Sequence, residues 1–270
     1  MSVQPTVRPS ARAVIAASIL AGYQEFAATF KVRVWLTGWV VRLAFQVLFW
    51  SLVGEYVAGQ QLVDFMLIGN VLGIVALEGS AIAAAAATER YLGVLGLLVG
   101  TPGDHVLCVF SRSTMRVVMA TCSSTLVFLA LVLGLRVPVP WPASVWILPV
   151  LVVVSMTCYC YGCFVAAMVF RFPFLERGAV NIAYLSVIVF AGVNVPVSFW
   201  PLPVQVLSDC LPITHGLHAV RAIINGGSWP GVVEQVGLEL VVGAGWVVLA
   251  YYLLRRWIDR DRRAGRIDLG

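Results

Sequence analysis

The chain has 270 residues, of which 60% are hydrophobic and 11% charged, with a mean hydropathy of +0.93 and a formal net charge of +5. A typical soluble domain is about 25% charged and about 45–50% apolar. A water-soluble fold has nowhere to bury the surplus, so the composition excludes one and points to an integral membrane protein. The positive balance is not a nucleic-acid signature; its meaning lies in where the arginines fall.

Residues 1–12 lack the short basic region, apolar core and small-residue cleavage site of a signal peptide, and none is expected. From about Arg12 to Arg33, Ile15, Ile19, Tyr23, Phe26 and Phe30 recur at three- and four-residue steps. That period predicts an amphipathic helix along the cytoplasmic membrane surface, or else a plain extramembrane helix. Trp35 to Val57 is the first predicted span. Arg42 lies inside it and has to snorkel toward the inner interface. Phe65 to Ala87 is the second, rich in Gly and Ala and suited to close helix packing. Glu78 is its inner acid, and a pairing with Arg42 across neighbouring helices is one expectation.

Thr88 to Ser113 forms the longest internal polar connection, with a short apolar-faced helix over Tyr91 to Val99 ended by Gly100 and the Thr101-Pro102-Gly103-Asp104 turn. Thr114–Leu135, Ser144–Phe170, Ala179–Phe199 and Val232–Leu254 are the remaining predicted spans. Cys158, Cys160 and Cys163 sit in the fourth without the paired spacing of a zinc site, and are expected to be buried as small hydrophobes.

With the N-terminus inside, segments 1–34, 88–116, 171–178 and 255–270 are inside and hold 4, 3, 2 and 6 basic residues, 15 of the 18. This excess predicts six spans with both termini cytoplasmic. The chain then divides into a cytoplasmic N-terminus (1–34), a six-helix transmembrane domain (35–254) and a basic tail (255–270).

Between the fifth and sixth spans, Pro196, Pro201, Pro203 and Pro212 cut the sequence into pieces too short to cross and too apolar for water. Broken backbone at membrane depth is tolerated only where protein or a water-filled cavity satisfies it. A re-entrant element over about 200–227 is therefore expected, carrying Asp209, Thr214, His215 and Arg221. His215 and His218 are three apart, but nearby acids lack metal-ligand spacing. Glu234 and Glu239 open the sixth span, either lining an outer vestibule or marking the interface.

Two runs together resemble the membrane subunits of type-2 ABC exporters. One is Ala191-Gly192, Pro196, Leu202-Pro203, Leu211-Pro212-Ile213-Thr214-His215, Arg221 and Gly226-Gly227. The other is Glu89-Arg90, Gly93, Leu95, Leu97-Leu98 and Thr101-Pro102. That family usually carries a glutamate after the Gly-Thr pair of the second run, where this chain has Val94-Leu95-Gly96. The resemblance implies an all-α fold of six spanning helices with an N-terminal interfacial helix, a cytoplasmic coupling helix between spans two and three, and a re-entrant helix pair between spans five and six. It implies a second permease chain, identical or paralogous, and two copies of a separate ATPase subunit that binds ATP and Mg.

The absence of a GxxxxGK[ST] loop fits that division of labour, with no catalytic residue and no cofactor or metal in this chain. Glu89, Arg90, Gly93, Leu97, Leu98 and Pro102 would couple to the ATPase. Pro196, Pro203, Asp209, Pro212, Thr214, His215 and Arg221 would form an outer gate. Arg42, Glu78, Glu234 and Glu239 are further intramembrane or vestibule sites. Cargo would be an amphiphilic or lipid-like molecule, exported across the cytoplasmic membrane. Two other readings are an ion-coupled secondary transporter, which calls for paired interruptions in both halves, and an intramembrane enzyme or assembly protein.

Overall fold

Two apolar helices with Gly at their crossing make the centre of the molecule. In the computed structural model, which describes residues 10–58, 60–91, 105–135 and 140–263, these are α4 (Gln60–Tyr91) and α7 (Ile147–Arg171). A Cβ on Gly79 would lie 2.7 Å from the Cys158 carbonyl oxygen, and one on Gly162 would overlap the Gly79 carbonyl. Helices in lipid gain nothing from hiding apolar surface from one another, so this close backbone approach is what holds the pair. Leu67, Val71 and Val75 of α4 and Leu151 and Val154 of α7 complete the contact, all essentially buried.

The other described helices surround this pair. They are α1 (Ala11–Thr29), α2 (Val32–Val34), α3 (Val41–Ala58), α5 (His105–Arg112), α6 (Met115–Leu135), α8 (Glu176–Phe190), α9 (Leu202–Asp209), α10 (Thr214–Ile224) and α11 (Trp229–Arg263). A π-helical turn, Trp35–Val40, joins α2 to α3. Helix α4 packs against α3, α6 and α8 as well as α7, and α7 packs against α11. Among the described residues, five stretches are long and apolar enough to cross a membrane: Val32–Tyr56, Val63–Ala85, Val106–Leu133, Ala143–Arg171 and Trp229–Arg260. The middle pair within α4 and α7 is 83% and 78% buried, whereas the first and last are each 17% buried, so those two face outward. Basic residues gather at one end of the bundle, among them Arg33, Arg116, Arg171, Arg255 and Arg256.

Several expectations change. The N-terminal helix forms, capped where the Ala13 N–H meets Ser10 Oγ at 3.3 Å, but its apolar side chains are spread around it rather than gathered on one face. It is docked on α5, a helix inside the stretch expected to be a polar connection. Arg112 of α5 bonds Glu25 of α1 at 2.6 Å, and Tyr159 of α7 donates its hydroxyl to the Phe110 carbonyl. The fifth span was expected to run to Phe199, yet α8 stops at Phe190, leaving 15 helical residues. Gly192, at φ +85°, begins the irregular stretch that follows. The last helix runs past Leu254 to Arg263, so the start of the basic tail is helical. The expected helix over Tyr91 to Val99, with Gly93, Leu97, Leu98 and Pro102, lies outside the described residues apart from Tyr91. Glu89 and Arg90 fall in the last turn of α4, where only the backbone is described.

Candidate functional site: a helical hairpin and its polar anchors

Residues 200–227 fold as two short helices joined by a tight turn. Pro201 precedes α9, and Pro203 occupies its first turn, where a missing N–H costs nothing. The turn spans residues 210–213 and contains Pro212. Helix α10 leaves from Ile213, whose φ of +81° is a left-handed conformation that a β-branched residue rarely adopts. Such a backbone persists only where its surroundings hold it, at a cost of about 1–3 kcal/mol.

The holding group is Glu239 of α11. Its side chain is fully buried, and its two oxygens accept from the Ile213 N–H and the Gly216 N–H, each at 2.9 Å. A helix start leaves N–H groups without partners, and the positive end of its dipole favours an anion there. A carboxylate from another helix therefore supplies what α10 lacks in its own sequence. Thr157 Oγ1 of α7 donates to the Glu239 carbonyl at 3.2 Å, tying a third helix to the same point. Gly216 admits this packing, because a Cβ there would overlap Val154 of α7.

One face of α11 carries the rest of the anchor. Trp246 Nε1 donates to the Cys210 carbonyl at 2.9 Å, and the Gln235 amide oxygen lies 2.9 Å from His215 Nδ1. The other ring nitrogen of His215 lies 3.2 Å from the Asp209 carbonyl. Thr214 Oγ1 closes the turn by donating to the Ser208 carbonyl at 2.6 Å. Residues 235, 239 and 246 recur at helical spacing, so a single stripe grips the hairpin tip. Glu239 lies ten residues beyond Trp229, and Thr157 ten beyond Ile147, which places the tip about 15 Å in from that end of the bundle.

The far end of α10 is fixed by Arg221. Its guanidinium sits 3.6 Å from the centroid of the Phe65 ring, and Nη2 donates to the Gly192 carbonyl at 3.0 Å and the Phe65 carbonyl at 3.3 Å. Close beside it, Asn70 of α4 bonds Asn194 at 2.7 Å. These contacts bind the end of α8, the start of α4 and the hairpin into one unit.

Of the residues anticipated from sequence, Thr214, His215, Arg221 and Pro212 converge here. Pro196, Pro203 and Asp209 are exposed at its margin, and Glu234 is exposed, one residue before Gln235 of the anchor stripe. Glu239, expected at a vestibule or at the interface, is fully buried here and caps α10. The Arg42–Glu78 pair does not form. Glu78 accepts from Trp39 Nε1 at 2.7 Å and lies 3.8 Å from Arg116, while Arg42 rests on the Trp39 ring. Gln235, Trp246 and Asn70 escaped sequence reasoning, and the only available signal was a polar or aromatic group inside an apolar run. Cys158, Cys160 and Cys163 are buried in α7.

No protein-family model matches the chain, and no curated protein matches it in sequence. Composition and architecture together make it a multi-span α-helical membrane protein.

Proposed function

We propose that the chain is the permease subunit of an ATP-driven exporter of the type-2 ABC class. It would move an amphiphilic or lipid-like molecule outward across the cytoplasmic membrane. The observation that carries this reading is the polar-anchored hairpin between α8 and α11, at the place where the resemblance puts a re-entrant helix pair. Helix α8 and the irregular stretch after it serve as the fifth of six spans. Both termini lie in the cytoplasm, on the side favoured by the basic excess.

In this reading two ATPase subunits bind ATP and Mg, and a second permease chain completes the path. This chain does no covalent chemistry. Movement of the ATPases reaches the bundle through the cytoplasmic end of α4 and the connection after it, with Glu89 and Arg90 as contacts. The docked pair α1 and α5 flanks the same end. On the outer side, displacing the hairpin opens the exit, and the anchors on α11 set how firmly it closes.

The test is purification with the ATPase expressed beside it, followed by ATP hydrolysis assays with candidate lipids and amphiphiles. Replacing Glu89 and Arg90 together by alanine is expected to leave membrane insertion and ATP hydrolysis in place while abolishing substrate-stimulated turnover. Full transport by the double variant removes the coupling assignment. Failure of any ATPase to co-purify removes the exporter reading.

A further inference from the structure

Two of the apolar stretches, Ala143–Arg171 and Trp229–Arg260, each finish on an arginine at the arginine-rich end of the bundle. Aromatic rings tie those two finishing points together. Phe172, just past α7, meets Trp257 of α11 edge to face, with ring centroids 6.1 Å apart. The Arg171 guanidinium carbon lies 6.0 Å from the centroid of the Phe172 ring. Arg256 and Arg260 are four apart and share one face of α11, and Trp257 stands three residues before Arg260.

These cations are held at the level where lipid headgroups lie. Nη1 of Arg256 donates to the Tyr252 hydroxyl at 3.2 Å, one turn back toward the bilayer. Arg255 does the same to the Tyr251 hydroxyl at 2.9 Å. Side chains of a helix lean toward its N-terminus, and on α11 that direction leads back into the membrane. Phe174 is 80% exposed, its ring centroid 5.9 Å from that of Phe172, and an aromatic group so placed suits the boundary between headgroups and acyl chains.

The charge is not matched by the protein. Arg171, Arg256 and Arg260 are exposed, and among the described residues none of the three makes an ion pair, although Asp259 stands between the last two in sequence. A guanidinium is permanently charged, has no acceptor atom, and presents a planar fork that fits the oxygens of a phosphate. Basic groups from two helices that meet at a membrane surface are suited to an anionic lipid headgroup.

We propose that the ends of α7 and α11 bind the phosphate of an anionic phospholipid, through Arg171 of one helix and Arg256 and Arg260 of the other. Phe174 lies against the glycerol and upper acyl chains of that lipid. The site stands apart from the exporter reading, because lipid retention is measured on this chain alone.

The experiment is native mass spectrometry of the full chain, purified in detergent and offered phosphatidylglycerol or phosphatidylcholine. Wild type is expected to retain phosphatidylglycerol in preference to phosphatidylcholine. Each surface arginine lost weakens retention about fivefold, so Arg171→Gln should lose about fivefold and Arg256→Gln with Arg260→Gln about 25-fold. Arg33→Gln removes an exposed arginine from the same end of the bundle but outside the site, and should retain phosphatidylglycerol as wild type does. An equal loss on Arg33→Gln shows general surface charge in place of a site and overturns the proposal. Equal retention of the two lipids by wild type overturns it too. So does a double variant that keeps phosphatidylglycerol but loses a co-purifying ATPase, which makes these arginines a protein contact. Should the double variant fail to stay folded, Arg171→Gln decides alone, and retention unchanged from wild type overturns the site.

Discussion

Glu239 does at the residue scale what the local sequence of α10 does not. No Ser, Thr, Asp or Asn precedes Thr214 to cap the helix; Ile213 stands there instead, and the cap arrives from α11. Replacing Glu239 by alanine strands two buried N–H groups and releases the strained turn, so a loss of about 3 kcal/mol is expected. Glu239→Gln keeps an amide oxygen as acceptor and should lose less than the alanine variant. Thermal unfolding in one detergent measures both, and equal, negligible losses would show that the carboxylate is incidental. The sequence showed an acid inside an apolar run, but not its role. Its partners lie 26 and 23 positions upstream, across a turn whose left-handed Ile213 leaves no mark in composition or period. The same holds for Arg42 and Glu78, whose opposite charges suggested a pair. Trp39, an uncharged donor, reached the carboxylate first.

Among the elements, hydrophobic periodicity located every long helix, because a run of some twenty apolar residues has few alternatives in lipid. It overran where the apolar character continued but the backbone did not. Ala179 to Phe199 is apolar nearly throughout, yet Gly192 and Pro196 end helical geometry soon after Phe190. It underran at α5, where a short helix with polar ends was hidden in a charged stretch. The crossing of α4 and α7 yields a sharper expectation. Gly162→Ala would push a methyl group into the Gly79 carbonyl, and neither backbone has a side chain to move aside. The cost is expected to be about 1–3 kcal/mol, as for overpacking elsewhere. Gly237→Ala on α11, where a methyl group meets open space, is the control. If the two variants melt together, close approach at this crossing does not hold the bundle.

For the whole molecule, the all-α, multi-span class was legible because it follows from composition and from the long apolar runs. The hairpin was legible as a place, from its prolines, whereas its grip was not, since that depends on which face of α11 meets the tip. One consequence concerns the bilayer itself. Helix α8 has 15 residues and so a length of about 22 Å, against a hydrocarbon core of about 30 Å. In the six-span reading its longer neighbours can tilt to suit most membranes, whereas α8 cannot stretch, so lipid on that flank thins wherever the irregular stretch after Phe190 does not make up the length. The chain should therefore melt at a higher temperature in vesicles of shorter acyl chains than in those of longer ones; a melting temperature that is flat or rises with chain length would rule this out. A dent of this kind also shortens the distance a headgroup travels from one leaflet to the other, on the flank of the bundle that α8 forms.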